Sequence, residues 1–198
     1  MTEQVSHPAE ALILARAPAS VIQRAASVRL MVFDVDGILT DGSLWYSEQG
    51  EMLKRFNVLD GHGLKMLATS GVKVALITAR QGPIVAMRAA ELGIGDVTQG
   101  ARDKGLALTT LASQHEIALE HVGYMGDDII DMPALQRAGF AVTVPNAPAY
   151  VAQGAHWTTQ VPGGHGAVRE CCDLILAAQG RLGAQFRPDR VIPGGVTQ

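Results

Sequence analysis

Short apolar runs punctuate the chain, and between them apolar positions recur at helical spacing. Arg29 to Phe33, Val72 to Ile77, Asp96 to Gln99, His121 to Met125, Phe140 to Val144 and a brief His156 to Thr158 read as strands. Segments with helical patterning stand between and after them: Gly63 to Ser70 closed by Gly71, Pro83 to Leu92 closed by Gly93, Lys104 to Gln114, Ile129 to Ala138, Ala147 to Gln153 and Gly166 to Ala178. One stretch breaks the rhythm. Ser43 to Ser47 and Met52 to Asn57 alternate around a four-residue connection containing Gly50, a hairpin pattern. Repeated strand–helix alternation predicts an α/β, Rossmann-like parallel sheet with helices on both faces and a β-hairpin insert. The Ala-rich start, Met1 to Ser27, reads as helical from about Ala9 with an interruption near Pro18 and Ser20. The tail beyond Gly180, with Pro193, Gly194 and Gly195, reads as mobile. The expected division is an N-terminal extension over 1–27, a main domain over 28–180 with the hairpin at about 43–57, and a flexible tail over 181–198.

Composition narrows the class. The chain has 198 residues, 47% of them apolar, and a formal charge of −3, ordinary values for a soluble enzyme. No basic stripe suggests nucleic acid, and no apolar run is long enough to span a membrane. Ala9 to Ala17 is short, contains Arg16 and lacks the basic start of a signal peptide. The two cysteines, Cys171 and Cys172, are adjacent and have no second partner, which fits a reducing cytoplasm and a helix-packing role.

Two segments carry the chemistry. Val32 to Gly42 reads VFDVDGILTDG, and Gly123 to Asp131 reads GYMGDDIID. Each is an apolar strand that ends in carboxylates, and the carboxyl ends of parallel strands are where open α/β sheets bind ligands. Asp34, Asp36, Asp127, Asp128 and Asp131 repel one another unless a cation sits among them. A hard oxygen site of this kind suits Mg²⁺, which also pairs with substrate phosphate. Asp34 is placed to attack a phosphoryl group, with Mg²⁺ on Asp34 and Asp127 offsetting the charge. Asp36, two residues on, is placed to protonate a leaving alkoxide and then to activate water. Gly37 permits a sharp turn there. Thr78, ending LITAR, can hold a phosphate oxygen but alone is as readily a helix cap. Lys104, in ARDKG, can balance phosphate and Asp34, though a lone lysine is ordinarily a solvated charge.

The order decides between these readings: DxDG after the first strand, Thr after the second, Lys before a later helix, then GDDxxD after another strand. From Arg29 to Gln179 this resembles the haloacid dehalogenase superfamily of phosphotransferases. The resemblance implies Asp34 as nucleophile, Asp36 as general acid and base, and Thr78 and Lys104 as phosphoryl holders. It implies Mg²⁺ on the Asp34 side chain, the Asp36 backbone carbonyl and Asp127, with Asp128 and Asp131 supporting that shell through water or Lys104. Neither the space between Asp34 and Thr78 nor that between Lys104 and Asp127 has room for a full cap domain. An uncapped site is open to large substrates or closed by another subunit. The hairpin, with Trp45, Tyr46 and Phe56, is too apolar for one small domain to bury, so a homo-oligomer is expected, a cyclic homotetramer foremost.

FNVLDGHGLKML from Phe56, ITARQGPIVAMRAAELGI from Ile77, QGARDKG from Gln99 and GGHGAVRECCDLIL from Gly163 narrow the match. They resemble the 3-deoxy-D-manno-octulosonate 8-phosphate phosphatase family. That implies release of phosphate from the eight-carbon acid sugar of lipopolysaccharide synthesis, a tetramer whose hairpins help cap neighbouring sites, and a tail able to fold over a site. The substrate also bears a carboxylate, for which Arg80 and Arg88 are the candidates, one of them serving the neighbouring subunit. Asn57, Asp60 and Gly61 are candidates for sugar hydroxyls. Lys65 is a further one, with a solvated helix face as its alternative. His62 and His165 are left out, since Mg²⁺ prefers oxygen. Ala79 stands where many relatives have Gly, and the two ends of the chain match least. A nine-carbon acid-sugar 9-phosphate fits the hairpin and both arginines equally well. A non-catalytic oligomerising module of the same fold is the other alternative, and the intact acids argue against it.

Overall fold

The computed structural model describes residues 7–186. In chain order the strands are β1 Leu30–Phe33, β2 Trp45–Ser47, β3 Gly50–Leu53, β4 Lys73–Thr78, β5 Asp96–Gln99, β6 Val122–Met125, β7 Phe140–Thr143 and β8 Trp157–Thr158. The helices are α1 Pro8–Leu14, α2 Ala19–Ala26, α3 Val58–Thr69, α4 Pro83–Leu92, α5 Lys104–Gln114, α6 Met132–Leu135, α7 Ala149–Gly154 and α8 Ala167–Ala178. Six strands form one parallel sheet in the order β5-β4-β1-β6-β7-β8, and β2 and β3 form a separate antiparallel hairpin. The expected parallel α/β sheet with a hairpin insert is therefore present.

β1 shows why the sheet needs two helical layers. All four of its residues are buried, and successive side chains point to opposite faces. Leu30 and Val32 join Ile77, Leu108, Tyr124 and Leu135 under α5 and α6. Met31 and Phe33 join Leu64, Leu67, Cys171 and Ile175 under α3 and α8. At roughly 1.5–3 kcal/mol per buried large apolar side chain, both faces must be covered for the sheet to persist. Phe33 lies beside Leu76 of β4 and Met125 of β6, so β1 and β6 end together and β4 runs on to Thr78. Chain order reverses direction about β1, which opens the crevice at those ends.

α4 and α5 run over the stretches the sequence predicts, and Gly93 ends α4 in the left-handed conformation at φ 74°. Three elements differ. The hairpin has a two-residue connection, Glu48–Gln49, and Gly50 at φ 111° already belongs to β3. α3 begins at Val58, not Gly63, because Asn57 Oδ1 accepts the Leu59 N–H at 2.8 Å and starts the helix there. The expected helix from Ile129 to Ala138 is a 3₁₀ turn over Ile129–Asp131 followed by the four residues of α6.

α1 and α2 are separated near Pro18, as the sequence predicts, and both pack against α8. The chain just after Gly180, expected to be mobile, is packed as far as Phe186. The Gly183 N–H donates to Glu10 Oε1 at 2.8 Å, and the Phe186 ring stacks on His7 with centroids 4.5 Å apart. Residues 1–6 and 187–198, the outer parts of the expected extension and tail, lie outside the described residues. Cys171 and Cys172 are free and fully buried in α8, where burial pushes both thiols up. No helix among the described residues is long and apolar enough to cross a membrane.

Candidate active site

Asp34 emerges from the buried end of β1, where its backbone N–H donates to the Met125 carbonyl at 2.9 Å. Asp34 is 4% exposed, and its carboxylate lies 2.8 Å from Lys104 Nζ. Lys104 opens α5 and is itself buried; the same ammonium lies 2.7 Å from Asp131 Oδ1. Asp131 is fully buried and accepts from everything around it. Tyr124 donates its hydroxyl to Oδ1 at 2.6 Å, and the Asp127 and Asp128 N–H groups donate to Oδ2 at 3.1 and 3.0 Å. So Asp131 sets Lys104 on one side and the Asp127 loop on the other.

The same crowding makes a cation site. Asp34, Asp127 and Asp131 each present an oxygen, and the three oxygens lie within 4.8 Å of one another. Asp127 Oδ1 is buried with no hydrogen-bond partner. A buried orphan of that kind calls for an explanation, and a hard cation supplies one. Burial and then the Asp131 charge push the Asp34 carboxyl up to about 8, against the pull of Lys104. The same two causes push Asp127 up to about 7. Both shifts mark carboxylates short of positive charge, so the donor set fits Mg²⁺. Gly37, at φ 91°, has the Asp127 carboxylate where a Cβ would go, which is why no side chain is accommodated there.

A pH dependence follows. Each raised carboxyl holds its proton in the folded chain after the unfolded chain, near 3.8, has lost it. Without metal, the contribution of these two carboxyls to stability therefore falls as pH rises from about 4 through 7 and 8. A bound divalent cation favours the ionised forms and removes that loss. We expect the gain in melting temperature from saturating Mg²⁺ to be larger at pH 8 than at pH 6. Equal gains at both pH values would contradict the cation site. Melting curves with and without Mg²⁺ decide it.

Thr78 ends β4 beside this cluster. Its Oγ1 accepts the Arg80 N–H at 3.2 Å and lies 3.5 Å from Asp36 Oδ2. Asp36 is partly exposed, and its Oδ1 is ion-paired with Lys54. Asp34, Asp36, Thr78, Lys104, Asp127 and Asp131 are thus brought together. Asp128 is not part of that cluster: it is exposed and caps the following turn by accepting the Ile129 N–H at 2.7 Å. Asp131, expected in a supporting place, is instead close enough to belong to the cation cluster.

The proposed sugar-binding residues divide. Arg80 donates to Tyr46 Oη at 2.8 Å and lies 3.6 Å from Glu51 Oε2, so it faces the hairpin beside Asp36. Arg88 is engaged elsewhere in this chain, 2.8 Å from Glu91 and with its guanidinium carbon 5.7 Å from the centre of the Phe56 ring. Asn57 caps α3 and donates to the Gly164 carbonyl at 3.4 Å. Asp60 is 1% exposed and accepts the Gly166 and Arg169 N–H groups, so it ties α3 to the start of α8 and has no face for a sugar. Gly61 is buried with Arg88 where a Cβ would go. Lys65 is half-buried on α3 with no ion pair among the described residues. The sequence reading missed Lys54, Glu51 and Tyr124. The sequence places Glu51 in the hairpin connection and Lys54 in the alternating stretch after it, and neither position by itself points to Asp36.

Comparison with known proteins agrees with this geometry. Residues 77–169 match the haloacid dehalogenase-like hydrolase family. The 3-deoxy-D-manno-octulosonate 8-phosphate phosphatase of Yersinia pestis is 46% identical over 162 residues, covering 82% of this chain and 87% of that protein. The phosphatase of the same description from Escherichia coli (strain K12) is 44% identical over 164 residues, 83% of this chain and 87% of that protein. The fold also matches the crystal structure of the Moraxella catarrhalis 3-deoxy-D-manno-octulosonate 8-phosphate phosphatase in complex with magnesium, phosphate and KDO. There the TM-score is 0.84 at 42% identity, covering 86% of this chain and 98% of that one. With relatives this similar over most of both lengths, the chain belongs to the 3-deoxy-D-manno-octulosonate 8-phosphate phosphatase family of haloacid dehalogenase-like hydrolases.

Proposed function

We propose that this chain is a magnesium-dependent phosphatase that hydrolyses 3-deoxy-D-manno-octulosonate 8-phosphate to the free sugar acid and phosphate. The observation that carries the reading is the buried Asp34 carboxylate, 2.8 Å from Lys104 and clustered with Asp127. Asp34 and Asp127, with the Asp36 backbone carbonyl by family resemblance, would hold Mg²⁺. Bound there, the ion offsets the negative charge that gathers where a phosphate ester meets a carboxylate.

The chain's own groups account for both half-reactions. An Asp34 oxygen attacks phosphorus and the ester P–O bond breaks. The leaving alkoxide takes a proton from Asp36, and an aspartyl-phosphate remains on Asp34. Water then attacks that phosphorus and gives its proton to Asp36, and the bond to Asp34 breaks to restore the carboxylate. Lys104 balances charge on Asp34 throughout, held in place by Asp131. By family resemblance, Thr78 Oγ1 holds a phosphoryl oxygen. Arg80 reads the sugar-acid carboxylate, and Arg88, paired with Glu91 in this chain, serves a neighbouring subunit.

The oligomer belongs to the same reading. Trp45, Tyr46 and Met52 are each more than half exposed on the hairpin, and Val58 and Leu59 continue that surface onto α3. An apolar face of this kind marks an interface, and a homotetramer in which hairpins cover neighbouring sites would bury it. We expect Trp45→Arg combined with Leu53→Asp to give a smaller species by light scattering. Its kcat/KM on the sugar phosphate should fall on the order of 10²-fold, as when substrate-positioning groups are displaced. An unchanged mass would remove the hairpin from the interface. The reading also places the enzyme in lipopolysaccharide precursor synthesis in the cytoplasm, with which two unpaired buried thiols agree.

Phosphate release with Mg²⁺ from a panel tests the substrate: octulosonate 8-phosphate, nine-carbon acid-sugar 9-phosphates and hexose phosphates. A clear preference for the eight-carbon ester supports the reading. A preference for a nine-carbon ester keeps the chemistry and replaces the substrate.

A further inference from the structure

The hairpin reaches the reaction centre through one residue that the mechanism above does not use. Lys54 follows β3, and its side chain is 3% exposed. Its ammonium is ion-paired with Asp36 Oδ1 and lies 2.7 Å from Glu51 Oε1. Glu51 Oε2 in turn lies 3.6 Å from Arg80, and Arg80 donates to Tyr46 on the opposite hairpin strand at 2.8 Å. A buried lysine costs solvation and side-chain freedom and is retained where its partners require it.

We infer that Lys54 is a positioning residue for the general acid and base, fixing the Asp36 carboxylate by one oxygen so that the other faces the reacting group. The division of the two oxygens supports this. Oδ1 is taken by Lys54, whereas Oδ2 points to Thr78 Oγ1 at 3.5 Å, on the side where the phosphoryl group meets β4. Oδ2 is then the oxygen that exchanges the proton, and Lys54 gives up none of its own. Without the ammonium, Asp36 is free to rotate about its side-chain bonds, and proton transfer depends steeply on that geometry. Glu51 holds Lys54 from behind and Arg80 holds Glu51. The hairpin is therefore the mount on which the acid and base of its own chain is set. Disturbing the hairpin should disturb Asp36 before it disturbs Asp34, whose fixing groups all lie in the sheet and α5.

This inference rests on the reading of Asp36 as general acid and base, and the test separates the two. Turnover is measured for Lys54→Met, Lys54→Arg and Asp36→Asn on octulosonate 8-phosphate, a poor alkoxide leaving group, and on p-nitrophenyl phosphate, a good one. Pre-steady-state release of the leaving group isolates the first step. Lys54→Met should lower that step on the order of 10²-fold for the sugar phosphate, the span of general acid catalysis. For the aryl ester the loss should be several times smaller, because its leaving group needs no proton. Lys54→Arg should restore most of the difference. Equal losses on both esters, or a change confined to KM, would overturn the positioning role; the latter would make Lys54 a phosphate-binding group. If Asp36→Asn itself shows no dependence on the leaving group, the acid and base reading fails and the inference falls with it. If Asp36→Asn shows the dependence and Lys54→Met does not, the inference alone fails.

Discussion

Asp34→Asn is expected to abolish turnover, with kcat lower on the order of 10⁴-fold or more, as when other enzymes lose a nucleophile. The amide keeps the size of the carboxylate, so β1, its register and the hairpin are untouched. The loss comes from chemistry: an amide nitrogen or oxygen does not form the acyl phosphate that carries the phosphoryl group. Asp34 is 4% exposed, and its fixed bond to the Met125 carbonyl runs through its backbone, which the substitution leaves in place. Lys104 retains Asp131 as a partner at 2.7 Å. The variant should therefore fold, assemble and still bind the sugar phosphate. Steady-state phosphate release, with calorimetric binding of the substrate, checks both halves. Turnover within tenfold of the parent would remove Asp34 from the nucleophile's place.

Asp131→Ala should act in the opposite manner, on stability first. Its carboxylate is fully buried and accepts from the Lys104 ammonium, the Tyr124 hydroxyl and two backbone N–H groups. Truncation leaves a buried ammonium half-paired and three donors without an acceptor. Breaking one side of a buried ion pair costs about 3–5 kcal/mol, a large share of the stability of a small domain. The Asp127 loop also loses the anchor that places it beside Asp34, so Mg²⁺ affinity should fall as well. Denaturant unfolding measures the first effect, and Mg²⁺ titration of the folded variant the second. A cost under about 1 kcal/mol, typical of an exposed pair, would mean that the network does not hold the site together.

These two residues also show what was legible in the sequence. Asp34 was read directly, because an apolar run ending in an acid has few other meanings once a second such run follows. The parallel sheet was read the same way, and α4 was bounded by Pro83 and Gly93, whose backbone preferences are local. Asp131 was seen but placed too far out, since its role is set by the Tyr124 hydroxyl and by a turn tighter than the expected helix. Asp60 shows the limit more sharply. At the base of the hairpin, ahead of the helix expected from Gly63, its carboxylate reads as available to a sugar, but α8, more than a hundred residues later, brings two N–H groups to it. Lys54 was missed for the same reason: its partner Asp36 is 18 residues away, and only folding the hairpin over β1 brings them together. Local preference writes turns and caps into the sequence; pairings across the fold depend on packing that no spacing rule records.

The most direct measurement is rapid quenching of the Mg²⁺-loaded enzyme in acid during turnover of octulosonate 8-phosphate, followed by mapping of the phosphorylated peptide. The account predicts a transient phosphoryl group on Asp34, formed before steady-state phosphate release and absent in Asp34→Asn. Sustained release of phosphate with no phosphoryl group on the protein at any sampled time, or with that group on another residue, would contradict it.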